Sequence, residues 1–337
     1  MKFPQSFIEK RALEMVLSEL DQFQLNKLFD FLQKTGIISN YKKHLMSISP
    51  LKRIQAWSKV GLYINSSELQ NLKHLIEMER DRDVIAYAFL NITNYLRNKE
   101  DLEWFLLLSS KYLAENLISE NVFSISLENI LKNMDINSKK NFVTHLVNLY
   151  NQHFIEAKCL DISLGTLYFY IDKSLILEVI PSFLDLLKST DDFSVPILKI
   201  LTKGDERFKE YYQEIEKFLY IKNPLIQLYV LRIIASWKCD YLVDRVFDFV
   251  FSPHWYLRSE AAKALLSFDE SFFPYIFRIF KSEDEYAKYS MGDEIAKLYM
   301  MEGRVDKLEK FKVLFPSEWQ ESVNILDTLG YKSFREV

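Results

Sequence analysis

The chain has 337 residues, of which 49% are hydrophobic and 15% aromatic; 43 basic and 47 acidic side chains give a formal net charge of −4. This balance argues against a protein whose main task is to grip a phosphate backbone, because such proteins carry an excess of Lys and Arg. No two of the seven glycines lie closer than the eleven positions between Gly292 and Gly303. A glycine-rich phosphate loop is therefore absent, which excludes most nucleotide-binding enzymes.

Residues 1–48 predict a helical cap that precedes a repeated region. Apolar side chains recur every three or four positions there, which is typical of amphipathic helices. Charges at Glu9, Lys10 and Arg11 interrupt the segment, so it lacks the apolar core of a signal peptide. No uncharged apolar stretch reaches the ~18 residues that a membrane span needs. We expect a cytoplasmic protein; the cytoplasmic part of a membrane-anchored protein, with an anchor upstream, is the alternative.

In three places in the rest of the chain, a serine or an asparagine directly precedes a proline. Ser49-Pro50, Asn223-Pro224 and Ser252-Pro253 each combine a favoured N-cap residue with a proline suited to the first helical position. Each pair predicts the start of a helix that is followed by a short break and a second apolar helix. Aligning Gln227, Arg258 and Lys288 gives offsets of 31 and 30 residues. Self-similarity near thirty residues predicts an all-α fold of stacked helical hairpins, an α-solenoid.

The segment SPHWYLRSEAAKALLSFDESFFPYIFRIFKSEDE, residues 252–285, resembles a HEAT repeat. It has a proline opening, the pair Leu257-Arg258, a stripe of small alanines and a second helix that carries Pro274. VIPSFLDLL, residues 179–187, resembles the same second-helix start around Pro181. The resemblance covers 49–111 and 222–300, whereas hairpins over 112–221 are predicted from periodicity alone.

The resemblance implies an armadillo-like, superhelical array over 49–313 between helical caps at 1–48 and 314–337. It further implies a scaffold or adaptor whose concave face binds another protein. The order of elements around ISNYKKHLMSISPLKRIQAW is also similar to bacterial membrane-anchored HEAT proteins linked to glycosyltransferase systems.

Candidate chemical groups are few. His74 and Glu77 share a helix face but supply only two metal ligands, and His145, His153 and Cys159 match no familiar zinc spacing. The second cysteine, Cys239, also lies in no catalytic context, and no Gly-x-Ser-x-Gly elbow exists. We therefore expect no catalytic residue, no metal and no cofactor.

Consecutive aromatic residues are the strongest candidates for partner contacts. Tyr168-Phe169-Tyr170 and His254-Trp255-Tyr256 cannot all point into a helical core, because successive residues face different sides of a helix. Exposed Tyr and Trp are enriched at interfaces. We predict that Tyr168, Tyr170, Trp255 and Tyr256 bind a partner.

Two alternative functions stay open beside a non-catalytic scaffold. A nucleic-acid-binding helical-repeat protein similar to a DNA glycosylase would need a basic stripe on its concave face. A helical enzyme would need a deep pocket with a strongly shifted carboxylate or histidine. Independently, Arg53, Arg82 and Arg258 are predicted to be structural, because an arginine at a helix start can satisfy unpaired carbonyl groups or pair with an acid of the next repeat.

Overall fold

The computed structural model describes residues 34, 37–61, 64, 66–269, 273–300 and 305–331, and these form helices and connecting turns with no strand. The predicted cap at 1–48 lies mainly outside the described residues. In chain order the α-helices are α1 (Ile37–His44), α2 (Pro50–Val60), α3 (Ser66–Met78), α4 (Arg82–Ile92), α5 (Lys99–Ala114), α6 (Glu120–Lys132), α7 (Ile136–Asn151), α8 (Ala157–Leu167), α9 (Lys173–Ser189), α10 (Ser194–Leu201), α11 (Tyr212–Glu216), α12 (Pro224–Trp237), α13 (Val243–Phe249), α14 (Trp255–Ser267), α15 (Phe273–Phe280), α16 (Glu285–Met300), α17 (Val305–Leu314) and α18 (Pro316–Thr328).

Along the chain the helices alternate between two positions of the thirty-residue repeat. We call α2, α4, α6, α8, α10, α12, α14 and α16 the first helices. Where neighbouring first helices pack on one another, they do so in two series, α2–α4–α6 and α10–α12–α14–α16. The starts of the last four follow one another at 194, 224, 255 and 285, which confirms the repeat length near thirty residues. This arrangement is an all-α fold of the α-solenoid type.

The chain divides into two compact units. Unit 1 comprises the described residues up to Asp135 together with Leu149–Ser163, and unit 2 comprises Ile136–Asn148 and the described residues from Leu164 onward. Helices also occupy the stretch 112–221, where hairpins were predicted from periodicity alone. One uninterrupted array over 49–313, with a helical cap at 314–337, stays a prediction.

The proline positions were predicted with mixed success. Pro50 and Pro224 occupy the first helical turn as expected, and the Asn223 side chain accepts hydrogen bonds from the backbone N–H groups of Leu225 and Ile226. Ser49 holds the N-cap position without a side-chain capping bond. The prediction for Pro253 was wrong by two residues, because α14 begins at Trp255.

Pro181 lies inside α9 and not at a helix start, so that prediction was also wrong. Proline costs a helix one hydrogen bond and crowds the preceding turn. Here Val179, Ile180, Phe183 and Leu184 are all buried, and their burial offsets that cost.

Aromatic packing fills the core of unit 2 around Trp237, the last residue of α12. The ring is fully buried and stacks on Phe208, with the ring centroids 5.4 Å apart. Its Nε1 donates a hydrogen bond to the Leu201 carbonyl at 3.2 Å. A Cβ built at Gly204 would lie 2.4 Å from Trp237 Nε1, so this close approach requires glycine.

We expect Gly204→Ala to lower the free energy of unfolding by about 1–3 kcal/mol, because the added methyl group must displace the Trp237 ring. Gly165→Ala is the matched control. Gly165 lies within α8, where a Cβ meets nothing within 4 Å, so alanine should stabilise the helix by up to about 1 kcal/mol. Denaturant unfolding of both variants measures the difference. Equal effects would show that the site around Gly204 relaxes freely.

Candidate interaction surface

Exposed apolar side chains mark the N-terminal turns of the last three first helices. Leu225 in α12 is 44% exposed, Trp255 in α14 is 70% exposed and Tyr286 in α16 is 71% exposed. One turn further along α16, Tyr289 is 45% exposed. Since α12, α14 and α16 pack side by side, these four residues lie along one edge of the helix layer. We call this set the N-terminal edge.

The chain folds in this way because each of these helices buries its other face. In α14, Leu257, Ala261, Ala262, Ala264 and Leu265 are buried, and the small alanines allow neighbouring first helices to approach closely. A residue that begins such a helix lies at the end of the layer, where its side chain can face solvent. The Trp255 ring contacts the neighbouring Tyr256 ring edge to face, with the ring centroids 5.8 Å apart.

A groove of about 490 Å³ lies between the N-terminal turns of α12 and α14 and the end of α13. Its lining includes Lys222, Pro224, Phe249, Phe251, Pro253 and His254. One lysine, one aspartate (Asp248) and a histidine supply its charged and titratable groups, whereas rings and prolines supply much of its surface. This mixture suits a peptide better than a phosphate backbone.

The four sequence-predicted contact residues fall into two separate places. Trp255 is exposed as expected, and Tyr256 is half-buried beneath it, stacked on His254 at 5.5 Å. Tyr168 and Tyr170 are half-buried and follow the last residue of α8. Because Tyr168 follows the end of a first helix and Trp255 begins one, the structure does not bring them into a common contact.

Two lysines cover the Tyr168 ring. The ammonium groups of Lys199 and Lys203 lie 4.5 and 4.3 Å from the ring centroid. Lys203 also donates hydrogen bonds to the carbonyl groups of Tyr168 and Ile171. Burial lowers the pKa of Lys203, the Lys199 charge adds to the effect and Asp172 opposes it. These contacts hold the turn after α8, and the exposed aromatic side chain there is Phe169, at 70%.

Sequence reasoning missed Tyr286, which is the most exposed member of the N-terminal edge. A signal for it existed, since the 30-residue offset places Tyr286 opposite Tyr256 in the preceding repeat. Tyr289 and Leu225 carried no comparable signal, because isolated apolar residues on a helix are ordinarily core residues.

No group of three or more metal-ligating side chains occurs within the described part of the chain. His74 Nδ1 lies 3.5 Å from Glu77 Oε2 on an exposed helix face. His145 is half-buried, and His153, at the C-terminal side of α7, adopts a positive φ of 59°. Cys159 and Cys239 are both buried, and burial raises the pKa of each thiol to about 12.

A second groove of about 320 Å³ is lined by Glu206, Lys209, Lys238, Asp240, Phe268 and Asp269. Its charges neutralise each other, since Lys209 lies 2.7 Å from Asp240 and Lys238 lies 2.8 Å from Glu206. The hydrogen bond to Asp240 raises the pKa of Lys209. These two ion pairs link residues about thirty positions apart in the sequence, and Asp269 is a further acid in the lining.

The arginines predicted to be structural make the expected contacts. Arg53 and Arg258 each donate from Nη1 to two carbonyl groups of the turn before their helix. Arg82 donates to the carbonyl of Asn116, beyond the end of α5. The prediction that arginines at these helix starts satisfy unpaired carbonyl groups is confirmed.

Comparison with one solved structure supports the fold. The helical-repeat protein Kap121p, in its crystal structure with Nup53p, matches 98% of this chain with a TM-score of 0.50 and 9% sequence identity. The chain spans 44% of the length of Kap121p. An engineered protein from the Northeast Structural Genomics Consortium matches 97% of both chains with a TM-score of 0.43 and 15% identity.

No family model matches the sequence, and neither does any curated protein. At these low identities the similarity to Kap121p shows a helical-repeat fold and nothing further. The narrower resemblance to membrane-anchored HEAT proteins of glycosyltransferase systems stays a hypothesis. Among the described helices, none is long and apolar enough to cross a bilayer.

Proposed function

We propose that this protein is a non-catalytic scaffold or adaptor that binds another protein. The exposure of Trp255 and Tyr286 at the starts of neighbouring first helices is the observation that carries the proposal. Large aromatic side chains lose little conformational entropy on binding and are enriched among the residues that dominate interface energies. The adjoining groove offers apolar walls for a partner side chain. The concave face assigned from the sequence stays part of the proposal.

Charge pairing supports a protein partner over nucleic acid. Several basic side chains of unit 2 are already paired with acids, among them Lys140 with Glu178, Arg232 with Glu260 and Lys281 with Glu321. A phosphate-binding track needs a run of unpaired cations. The protein partner is therefore the better-supported function, and the DNA-glycosylase-like alternative becomes an outcome of the test.

The test uses the double variant Trp255→Ser/Tyr286→Ser, with Phe169→Ser as a matched control. Phe169 is as exposed as Trp255 but follows the end of a first helix. Partners are captured from native cells with the full chain, and the binding of each candidate is then measured with purified proteins. Removing two interface aromatic residues should weaken binding roughly thirtyfold or more, whereas the control should bind normally.

The opposite pattern would refute the proposal. If the double variant binds every purified partner as tightly as the unmodified chain, the N-terminal edge is not the contact surface. Labelled duplex DNA and RNA are titrated in parallel at low and near-physiological salt. Tight binding that persists at near-physiological salt would replace the scaffold with the nucleic-acid alternative.

A further inference from the structure

Two arginines occupy the same position in two distant repeats. Arg53 is the fourth residue of α2, and Arg258 is the fourth residue of α14. Arg53 Nη1 donates to the carbonyls six and five residues earlier, Ser47 and Ile48, at 2.8 and 3.0 Å. Arg258 Nη1 donates to the carbonyls six and five residues earlier, Ser252 and Pro253, at 2.8 and 3.3 Å. The chain therefore contains two copies of one arginine site.

In unit 1 the remaining donors of the arginine are filled by a carboxylate. Arg53 Nε donates to Glu79 Oε2 at 2.7 Å, and Nη2 donates to Glu79 Oε1 at 3.0 Å. This is the two-point geometry in which guanidinium binds carboxylate most strongly. Burial alone raises the pKa of Glu79, but the hydrogen bonds from Arg53 and from the N–H groups of Asp81 and Arg80 outweigh it and lower the pKa.

In unit 2 the same donors have no partner within the described chain. The Arg258 Nε–H is buried and finds no hydrogen-bond acceptor there, and Nη2 donates no hydrogen bond within the described residues. The Tyr286 ring lies beside the guanidinium, 5.3 Å from its carbon to the ring centroid. Because Tyr286 is 71% exposed, its ring can turn aside without unpacking the core.

The missing carboxylate is explained by one residue. Glu79 lies three positions before Arg82, where α4 begins. The residue three positions before the start of α16 is Ser282. The Ser282 hydroxyl donates to the Ile279 carbonyl at 2.7 Å and cannot supply a charge. The nearby acids are engaged, since Asp284 accepts from the Ala287 N–H and Glu285 pairs with Lys288. Glu283 in the same turn is exposed, and the Glu283→Ala variant in the experiment below tests whether it pairs with Arg258.

We propose that Arg258 receives a carboxylate from an Asp or Glu side chain of the partner protein, beside the aromatic contacts of Trp255 and Tyr286. This inference rests on the proposed function and specifies the chemistry of the partner segment: an acidic residue flanked by apolar ones. The two carbonyl contacts already fix the guanidinium, so little entropy is lost when the carboxylate binds. Arg53 with Glu79 shows the occupied form of the same site.

The experiment follows the arginine Nε–H signals by NMR in the full chain labelled with ¹⁵N-arginine. Arg258→Lys identifies the signal of Arg258 by its disappearance. The probe is an acetylated, amidated peptide with a central glutamate between leucine and phenylalanine, and the matched peptide carries glutamine instead. A phosphoserine peptide tests whether phosphate replaces carboxylate. Ser282→Glu rebuilds the internal partner, and Glu283→Ala removes the one competing acid.

We expect the glutamate peptide to move the Arg258 signal and to bind roughly tenfold or more tightly than the glutamine peptide. Ser282→Glu should weaken peptide binding by a similar factor. Glu283→Ala should leave the signal in place and the affinity equal or higher.

Three results would overturn the inference. The first is an Arg258 signal that the glutamate and glutamine peptides move equally or not at all. The second is a phosphoserine peptide that binds more tightly than the glutamate peptide, and the third is a signal that Glu283→Ala displaces without any peptide. None of these results bears on the scaffold test, which depends on Trp255 and Tyr286. Either proposal can therefore be refuted while the other stands.

Discussion

Asp101→Ala should destabilise unit 1 by about 3–5 kcal/mol, because it leaves the Lys73 ammonium buried without its counter-charge. Lys73 and Asp101 are 4% and 2% exposed, and they form an ion pair between α3 and α5. Asp101 also accepts a hydrogen bond from the Arg97 N–H, and the Lys73 ammonium lies 5.1 Å from the centroid of the Trp104 ring. The loss is measured by denaturant unfolding and by amide exchange in α3 and α5.

The double variant Lys73→Met/Asp101→Leu is the control for this prediction. Replacing both members of a buried pair by apolar side chains removes the unpaired charge and often costs little. We therefore expect the double variant to be more stable than Asp101→Ala. If the two variants are equally unstable, packing and not charge pairing dominates at this position.

Trp237→Ala should destabilise unit 2 by about 3–5 kcal/mol, because a fully buried indole leaves a large cavity. The substitution also removes the stacking on Phe208 and leaves the Leu201 carbonyl without its Nε1 donor. Both losses act on one hydrophobic core, so their energies are not additive. Chemical denaturation followed by far-UV circular dichroism measures the change.

Trp255→Ala provides the contrast on the neighbouring first helix. Its side chain is 70% exposed, so we expect the free energy of unfolding to change by no more than about 0.5 kcal/mol. A tryptophan that contributes little to folding but much to partner binding would be functional. A destabilisation of Trp255→Ala comparable to that of Trp237→Ala would instead make Trp255 part of the fold.

The regular spacing of apolar residues and the repeat near thirty residues supplied most of the fold prediction. The 30-residue offset among Gln227, Arg258 and Lys288 reflects the fourth position of three packed helices, so alignment of the sequence with itself found real structural equivalents. Pro253 misled the boundary because Ser252 Oγ accepts a hydrogen bond from the His254 N–H at 3.3 Å, which places the proline in a turn before the helix. Side-chain contacts of this kind leave no periodic signal.

The candidate site was predicted only in part. Trp255 was identified because three consecutive aromatic residues cannot all be buried, but the same argument selected Tyr168, whose ring is covered by Lys199 and Lys203. The empty donors of Arg258 could not be predicted, because they depend on a serine at a position where another repeat has a glutamate. Only the superposition of two turns, residues 79–82 and 282–285, reveals that difference.

Each unit contains one buried cysteine whose rate of alkylation reports the local unfolding of that unit. Cys159 belongs to unit 1 and Cys239 to unit 2. A thiol must reach water and lose its proton before it reacts with an alkylating reagent, and burial prevents both steps in the folded chain. The rate at which each cysteine is alkylated therefore reports how often its own unit opens, so the native sequence already carries a separate reporter of local unfolding in each half.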